Sequence, residues 1–334
     1  MPHYLLINDK YKIMNSTSTP VPITTIKLEF PLPRRIMITG HLGFVGQETV
    51  KQLEELGHQV IGYDLLEGND IRDFKQLQKF VEEHKPHRVL HLAAIARFAE
   101  ADKNPRLTFE TNHVGTSNVA NVCKMYHIPL VYASTGSVYM PIVQTPPITE
   151  DFKVMGNSQY ACSKLIGESF VEEVNPHIIL RYSHIYGKEK RGHGLIGGYW
   201  ARIQRGLKPM LYGGDQSNDF CYIPDIAQSN VLALLAGWDS WNQIYNIGTG
   251  EELTAEDAGK IVCKVTGWKS GVEKVKAREV DPQRFVFDIS KAQMMLNYEP
   301  KWTFEAGMKD MFFDEIMDKK VEELKERDEK VPNA

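Results

Sequence analysis

At 334 residues the chain exceeds what one small core needs, and it suits one large unit or two closely joined ones. Its 42% hydrophobic and 25% charged residues are ordinary globular composition, and a net charge of −4 excludes the basic excess that nucleic acid or an anionic membrane surface would attract. No uninterrupted apolar run is long enough to span a bilayer, so no membrane partner is expected.

Residues 1–33 are rich in Thr, Ser and Pro and read as an extension outside the main fold. They lack the basic-then-apolar order of a secretion signal. Cys123, Cys162, Cys221 and Cys263 form no C-x-x-C pair, which predicts reduced thiols and a cytoplasmic protein. From residue 35, strand and helix patterns alternate. "RIMIT" (35–39), "QVIGYD" (59–64), "RVLHLAA" (88–94), "PLVYAS" (129–134) and "HIILRY" (177–182) are short apolar runs. Amphipathic helices are predicted over 44–57, 72–84, 107–126 and 159–174. Buried strands separated by helices specify parallel pairing with right-handed crossovers. The prediction is an α/β fold, a doubly wound parallel sheet over 34–182. Beyond 183, Gly-rich pieces predict a smaller, loop-rich C-terminal lobe that binds substrate, with segments around 219–250 returning to the first domain.

"MITGHLGFVG" places Gly40, Gly43 and Gly46 between the first strand and the first helix. Glycines there allow a tight turn, a close approach of backbone to a pyrophosphate and close helix–sheet packing, while the helix N-terminus at Phe44 and Val45 favours the anion. The spacing G-x-x-G-x-x-G is one residue longer than the usual dinucleotide fingerprint. Asp64 ends the second strand, eighteen residues after Gly46, where a carboxylate can bind both ribose hydroxyls and would repel a 2′-phosphate. That predicts a Rossmann-type NAD site.

"SQYACSKLIGE" sets Tyr160 and Lys164 four apart on one helix face. A Lys ammonium beside a phenol is expected to pull the phenol pKa toward working pH, so that Tyr160 can take an alcohol proton. The strand end "ASTGSVYM" carries Ser134, Thr135 and Ser137 around Gly136, which alone reads as a polar turn.

Together with "NDIRD" (69–73), "TNHVGT" (111–116), "LRYSHIYG" (180–187), "YNIGTG" (245–250) and "FDISKAQMML" (287–296), these pieces resemble the extended short-chain dehydrogenase/reductases. The resemblance, over about 35–310, is to the branch of NAD-dependent nucleotide-sugar epimerases and dehydratases, and most to the 4-epimerases. It implies that Asp70 and Ile71 lie at the adenine, that Ala93 and Ala94 line the pyrophosphate or nicotinamide side, and that Asn112 supports the cofactor site. It also implies that Lys164 holds the nicotinamide ribose, Ser134 faces the nicotinamide and Thr135 bonds the reacting sugar hydroxyl. The related dehydratases carry an Asp–Glu pair where this chain has Gly136 and Ser137, so the acid for eliminating water is missing. Ser137, His184, Asn218 and Arg278 fall at substrate positions, and a homodimer is implied.

The same resemblance shows departures at the diphosphate grip. His184 replaces a usual Asn and Asn218 a usual Arg, and both lack a charged fork. His41 and His193 read as loop histidines, Tyr199, Trp200 and Trp302 as packing, and no metal spacing is present. Besides an epimerase, a net dehydrogenase or reductase and a non-catalytic NAD-binding protein remain open.

Overall fold

Short, largely apolar strands call for burial on both faces, and five of them enter one parallel sheet. These are β1 (Arg35–Thr39), β2 (Gln59–Tyr63), β3 (Arg88–His91), β4 (Leu130–Thr135) and β5 (His177–Tyr182). They run in the order β2-β1-β3-β4-β5, and the strand Gln243–Ile247 joins the far edge beside β5. The computed structural model describes residues 35–139, 146–188, 194–276 and 284–313, so the expected extension over 1–33 lies outside the described residues.

Alternate residues of each strand serve opposite cores. Ile36, Ile38, Leu90, Val131, Ile178 and Leu180 face α1 (Phe44–Glu55) and the helix Ile223–Leu235. Met37, Val89, Leu130, Tyr132 and Ile179 face α2 (Phe74–His84) and two further helices described next. The strand order reverses between β1 and β3, which opens a crevice at their carboxyl ends.

The long helix expected over 107–126 is interrupted. α3 (Phe98–Lys103) and α4 (Pro105–Thr108) lead into a π-helical stretch, Phe109–Gly115, before α5 (Thr116–Met125) resumes α geometry. Such wide turns re-aim one side chain, and here it is Asn112, 1% exposed and pointing back to the loop after β3. α6 (Gln159–Glu172) packs beside α5.

The second lobe has its own aromatic core, in which Trp200 packs on Phe312 and Tyr199 is 2% exposed. Its strands are two or three residues long, paired as His184–Tyr186 with Phe220–Tyr222, and Ser217–Asn218 with Leu253–Thr254 and Arg284–Phe285. The fully buried Asp219 ties this lobe to the sheet. Its carboxylate accepts the Thr249 N–H (2.8 Å), the Thr249 hydroxyl (2.8 Å) and the Gly250 N–H (3.1 Å), just beyond the edge strand. No helix among the described residues is long and apolar enough to cross a membrane.

His91 is the buried group with the clearest pH consequence. At 1% exposure it bridges the Thr39 hydroxyl (2.7 Å) and the Thr116 hydroxyl (2.9 Å), linking the sheet to α5. Burial, helped by the nearby Lys164 charge, pushes its pKa down to about 3. The folded state therefore holds neutral imidazole, while the unfolded chain binds a proton below about pH 6.5. Its contribution is complete above that pH and falls by about 1.4 kcal/mol per unit as the medium is acidified toward the folded value. Chemical denaturation at pH 7 and pH 5 should show a steeper loss for the parent chain than for His91→Gln. Equal losses in the two would sink this assignment.

Candidate active site

The cradle follows from two steric facts. Gly40 has φ +73°, and a Cβ there would stand 2.8 Å from the Ala93 backbone nitrogen. A Cβ on Gly46 would stand 2.4 Å from the Gly40 carbonyl oxygen, so α1 can approach the turn only with glycine there. The Gly43 N–H donates to that carbonyl (3.0 Å), and no side chain caps α1, leaving Phe44 and Val45 to open the helix toward the crevice. Asp64, 9% exposed, stands on the rim and accepts the Leu42 N–H (3.2 Å) and Leu66 N–H (3.0 Å).

On the expected adenine side, Asp70 is already held by Arg72 through Nε (3.0 Å) and Nη2 (2.6 Å), which lowers its pKa. Ile71 is buried over Gly115. Ala93 donates its N–H to the Thr39 hydroxyl (3.3 Å), and Ala94 follows, partly buried, in the same loop. Asn112 clamps that loop, accepting the Ile95 N–H (2.8 Å) and donating to the Ile95 carbonyl (3.0 Å). It also donates to the Ser163 hydroxyl (2.8 Å), which in turn donates to the Tyr160 carbonyl (2.7 Å). One side chain thus joins the crevice loop to α6.

α6 begins where the Ser158 hydroxyl accepts the Ala161 N–H (3.1 Å), which sets Tyr160 in its first turn and Lys164 one turn later. Both are buried, and Phe98 packs edge-on against the Tyr160 ring at 5.2 Å. Burial pushes the Tyr160 phenol up to about 12, with the neighbouring Thr135 side chain opposing the rise. The structure corrects the expectation that Lys164 draws this pKa down. The Lys164 ammonium donates to the Ala133 carbonyl (2.9 Å) and lies 4.8 Å from the Tyr132 ring centroid. Burial brings Lys164 itself down to about 7, with Glu168 opposing the fall.

Thr135 is both turn and site. Its hydroxyl donates to the Ser137 oxygen (3.2 Å), accepts the Ser137 N–H (3.2 Å) and meets Tyr160. Ser134 is placed differently from the expectation. It is 2% exposed and donates to Glu168, because alternation along β4 turns it under α6 rather than toward the crevice.

Sequence reasoning missed the network beneath these residues. Glu168 and Arg181, each 3% exposed, form a bidentate pair at 3.0 and 2.7 Å. Arg181 donates to the Tyr139 hydroxyl (2.7 Å), which donates to Asn246 Oδ1 (2.9 Å). The four-residue spacing from Lys164 to Glu168 and the charge inside "HIILRY" were the available signals.

In the second lobe, His184 is exposed and packs edge-on against Phe285 at 5.6 Å, and Asn218 is in register with the same Phe285. Arg278 lies outside the described residues. Among the described residues, no group of three His, Cys, Asp or Glu side chains could hold a metal.

Residues 36–248 match the family described as NAD dependent epimerase/dehydratase. The chain belongs to this family. It is 31% identical over 298 residues to a protein of Methanocaldococcus jannaschii that bears the provisional name UDP-glucose 4-epimerase, covering 82% of this chain and 96% of the relative. The solved UDP-glucose 4-epimerase of Thermotoga maritima with UDP-glucose superposes with TM-score 0.77 at 27% identity, covering 84% and 99% of the two chains. A UDP-glucuronic acid 4-epimerase of Bacillus cereus, in complex with UDP-glucuronic acid and NAD, gives TM-score 0.73 at 25% identity, covering 82% and 96%. The protein is therefore an NAD-dependent epimerase-type enzyme of the extended short-chain dehydrogenase/reductase class. The cradle that any Cβ would fill and the rim carboxylate of Asp64 fit that cofactor.

Replacing Arg181 by Met strands the Glu168 charge in the interior, at an expected cost of about 3–5 kcal/mol. The double variant Glu168→Gln/Arg181→Met should lose clearly less than the sum of the single losses in urea denaturation. Simple additivity would show that the pair is not a unit.

Proposed function

We propose that the enzyme epimerises a nucleotide sugar at C4 through a transient keto sugar. The observation that carries this reading is the buried Thr135–Tyr160 hydroxyl pair, set one helical turn from Lys164 at the crevice edge and followed by Gly136 and Ser137 instead of acids. The 4-epimerase names of the relatives support it. Bound NAD supplies a reversible hydride acceptor, and the residues that would hold it are Gly40, Gly43, Phe44, Val45, Gly46 and Asp64, with Asp70, Ile71, Ala93, Ala94 and Asn112 beyond them.

Thr135 orients the reacting hydroxyl, because its own oxygen is fixed by the Ser137 N–H. Tyr160 takes the proton at its phenolic oxygen and returns it when the sugar is reduced. Lys164, held on the Ala133 carbonyl, keeps positive charge beneath the site whenever it is protonated. Burial of both groups excludes water from the proton path. Ser137, from the turn, and His184 and Asn218, from the second lobe, are assigned to the substrate, with Arg278 assigned to its diphosphate. A dimer through the α5–α6 face fits the exposed Phe109, Val114, Met125 and Ile166 on and beside these helices.

With UDP-glucose or UDP-glucuronic acid, the NAD-loaded enzyme should produce the C4 epimer without net NADH. Tyr160→Phe should lower kcat by about 10²- to 10⁴-fold with KM little changed. Stoichiometric NADH in place of an epimer would turn the reading to a dehydrogenase.

A further inference from the structure

Position 136 is glycine for a reason outside its own backbone. Its φ is not in the left-handed region, so an L side chain would be conformationally free there. The space is what forbids it. A Cβ on Gly136 would stand 2.5 Å from Phe287 Cζ and 2.6 Å from Phe285 Cζ.

Those rings cannot retreat cheaply. Phe285 and Phe287 are 3% and 1% exposed and pack on each other at 5.1 Å. Phe287 is met edge-on by Tyr139 at 5.9 Å, and Phe285 by His184 at 5.6 Å. Their backbone is pinned as well. The Val286 carbonyl accepts the Ile148 N–H (2.8 Å), the Asp288 N–H donates to the Ile148 carbonyl (2.9 Å), and Phe287 is bonded through its backbone to the buried Asp219. Phe285 is also in register with Asn218.

We propose that Phe285 and Phe287 are positioning residues that control the outcome of the reaction by keeping any side chain, and so any acid, out of position 136. This rests on the epimerase reading. Once a sugar carbon is oxidised to a ketone, the neighbouring C–H becomes acidic and a hydroxyl β to the carbonyl can depart. That elimination breaks the C–H and C–O bonds, forms C=C, and releases the proton and hydroxide as water with no change in redox balance. It is accelerated by an acid that protonates the leaving hydroxyl. Position 136 adjoins Thr135, the hydroxyl assigned to the sugar. The two rings occupy the direction in which its Cβ would point. Acid-assisted loss of water is then closed to the keto sugar.

The interlock is tested first by a thermodynamic cycle. Gly136→Ala alone should lower Tm by about 3–10 °C and reduce NAD retained on purification. In a Phe285→Leu/Phe287→Leu background, which removes both ring tips, the same alanine should cost little. An equal Tm loss in both backgrounds would overturn the interlock, whatever the substrate proves to be. The second arm places Gly136→Asp in the Leu/Leu background and follows UDP-glucose and UDP-glucuronic acid by mass spectrometry. A growing share of product lighter by one water, absent from the parent and from Gly136→Asn in the same background, is the expected result. A folded, NAD-loaded aspartate variant that epimerises without any loss of water would overturn the reaction-control role. If the parent itself produces no C4 epimer, the proposed function fails while the Tm cycle still decides the interlock.

Discussion

The buried Glu168–Arg181 pair is the constraint on which the site depends. Two charges at 3% exposure persist only when their hydrogen-bonding capacity is met, and here each extra bond reaches a different part of the fold. Glu168 belongs to the helix of Tyr160 and Lys164 and takes the Ser134 hydroxyl from the strand that ends in Thr135. Arg181 belongs to β5 and holds Tyr139, which reaches Asn246 on the edge strand supplied by the second half of the chain. Helix, strand end and returning strand are thereby tied together beneath the site.

The pair also sets the electrostatic balance above it. Burial alone drives Lys164 toward neutrality, and the Glu168 carboxylate is the charge that resists. Arg181 in turn compensates Glu168, so the interior bears one positive charge too many when Lys164 is protonated. That charge is held on the Ala133 carbonyl, one helical turn from Tyr160 along α6. The raised phenol pKa in this structure is consistent, since Lys164 is directed at the Ala133 carbonyl and burial meets no strong opposition at Tyr160.

Much of this architecture was legible in the residues, for identifiable reasons. β1 and β5 match the runs "RIMIT" and "HIILRY" residue for residue, because strands buried on both faces cannot tolerate a polar slip. The Gly40 turn was legible because backbone geometry and the approach of Ala93 leave one residue type. What stayed hidden depends on partners distant in sequence. The π-helical stretch has no composition of its own and follows from Asn112 reaching Ile95 and Ser163. Ser134 and Thr135 are chemically alike and adjacent, and only the pleat of β4 sends one under α6 and the other to Tyr160. Arg181, read as part of an apolar strand, is separated from Glu168 by thirteen residues and a loop.

A hydroxyl at a strand end is commonly a cap, and Thr135 is one, since it takes the Ser137 N–H. Capping and chemistry are not rival readings at this position. A threonine whose oxygen already accepts a backbone N–H has lost the rotamer freedom that would make it a poor positioning group, and its remaining contacts are directed by that bond. The turn therefore lowers the entropy cost of presenting the hydroxyl to a substrate. The same economy explains why the neighbouring glycine matters. With two phenylalanine rings closing the space beside Gly136, the strand end presents one hydroxyl whose direction is already decided.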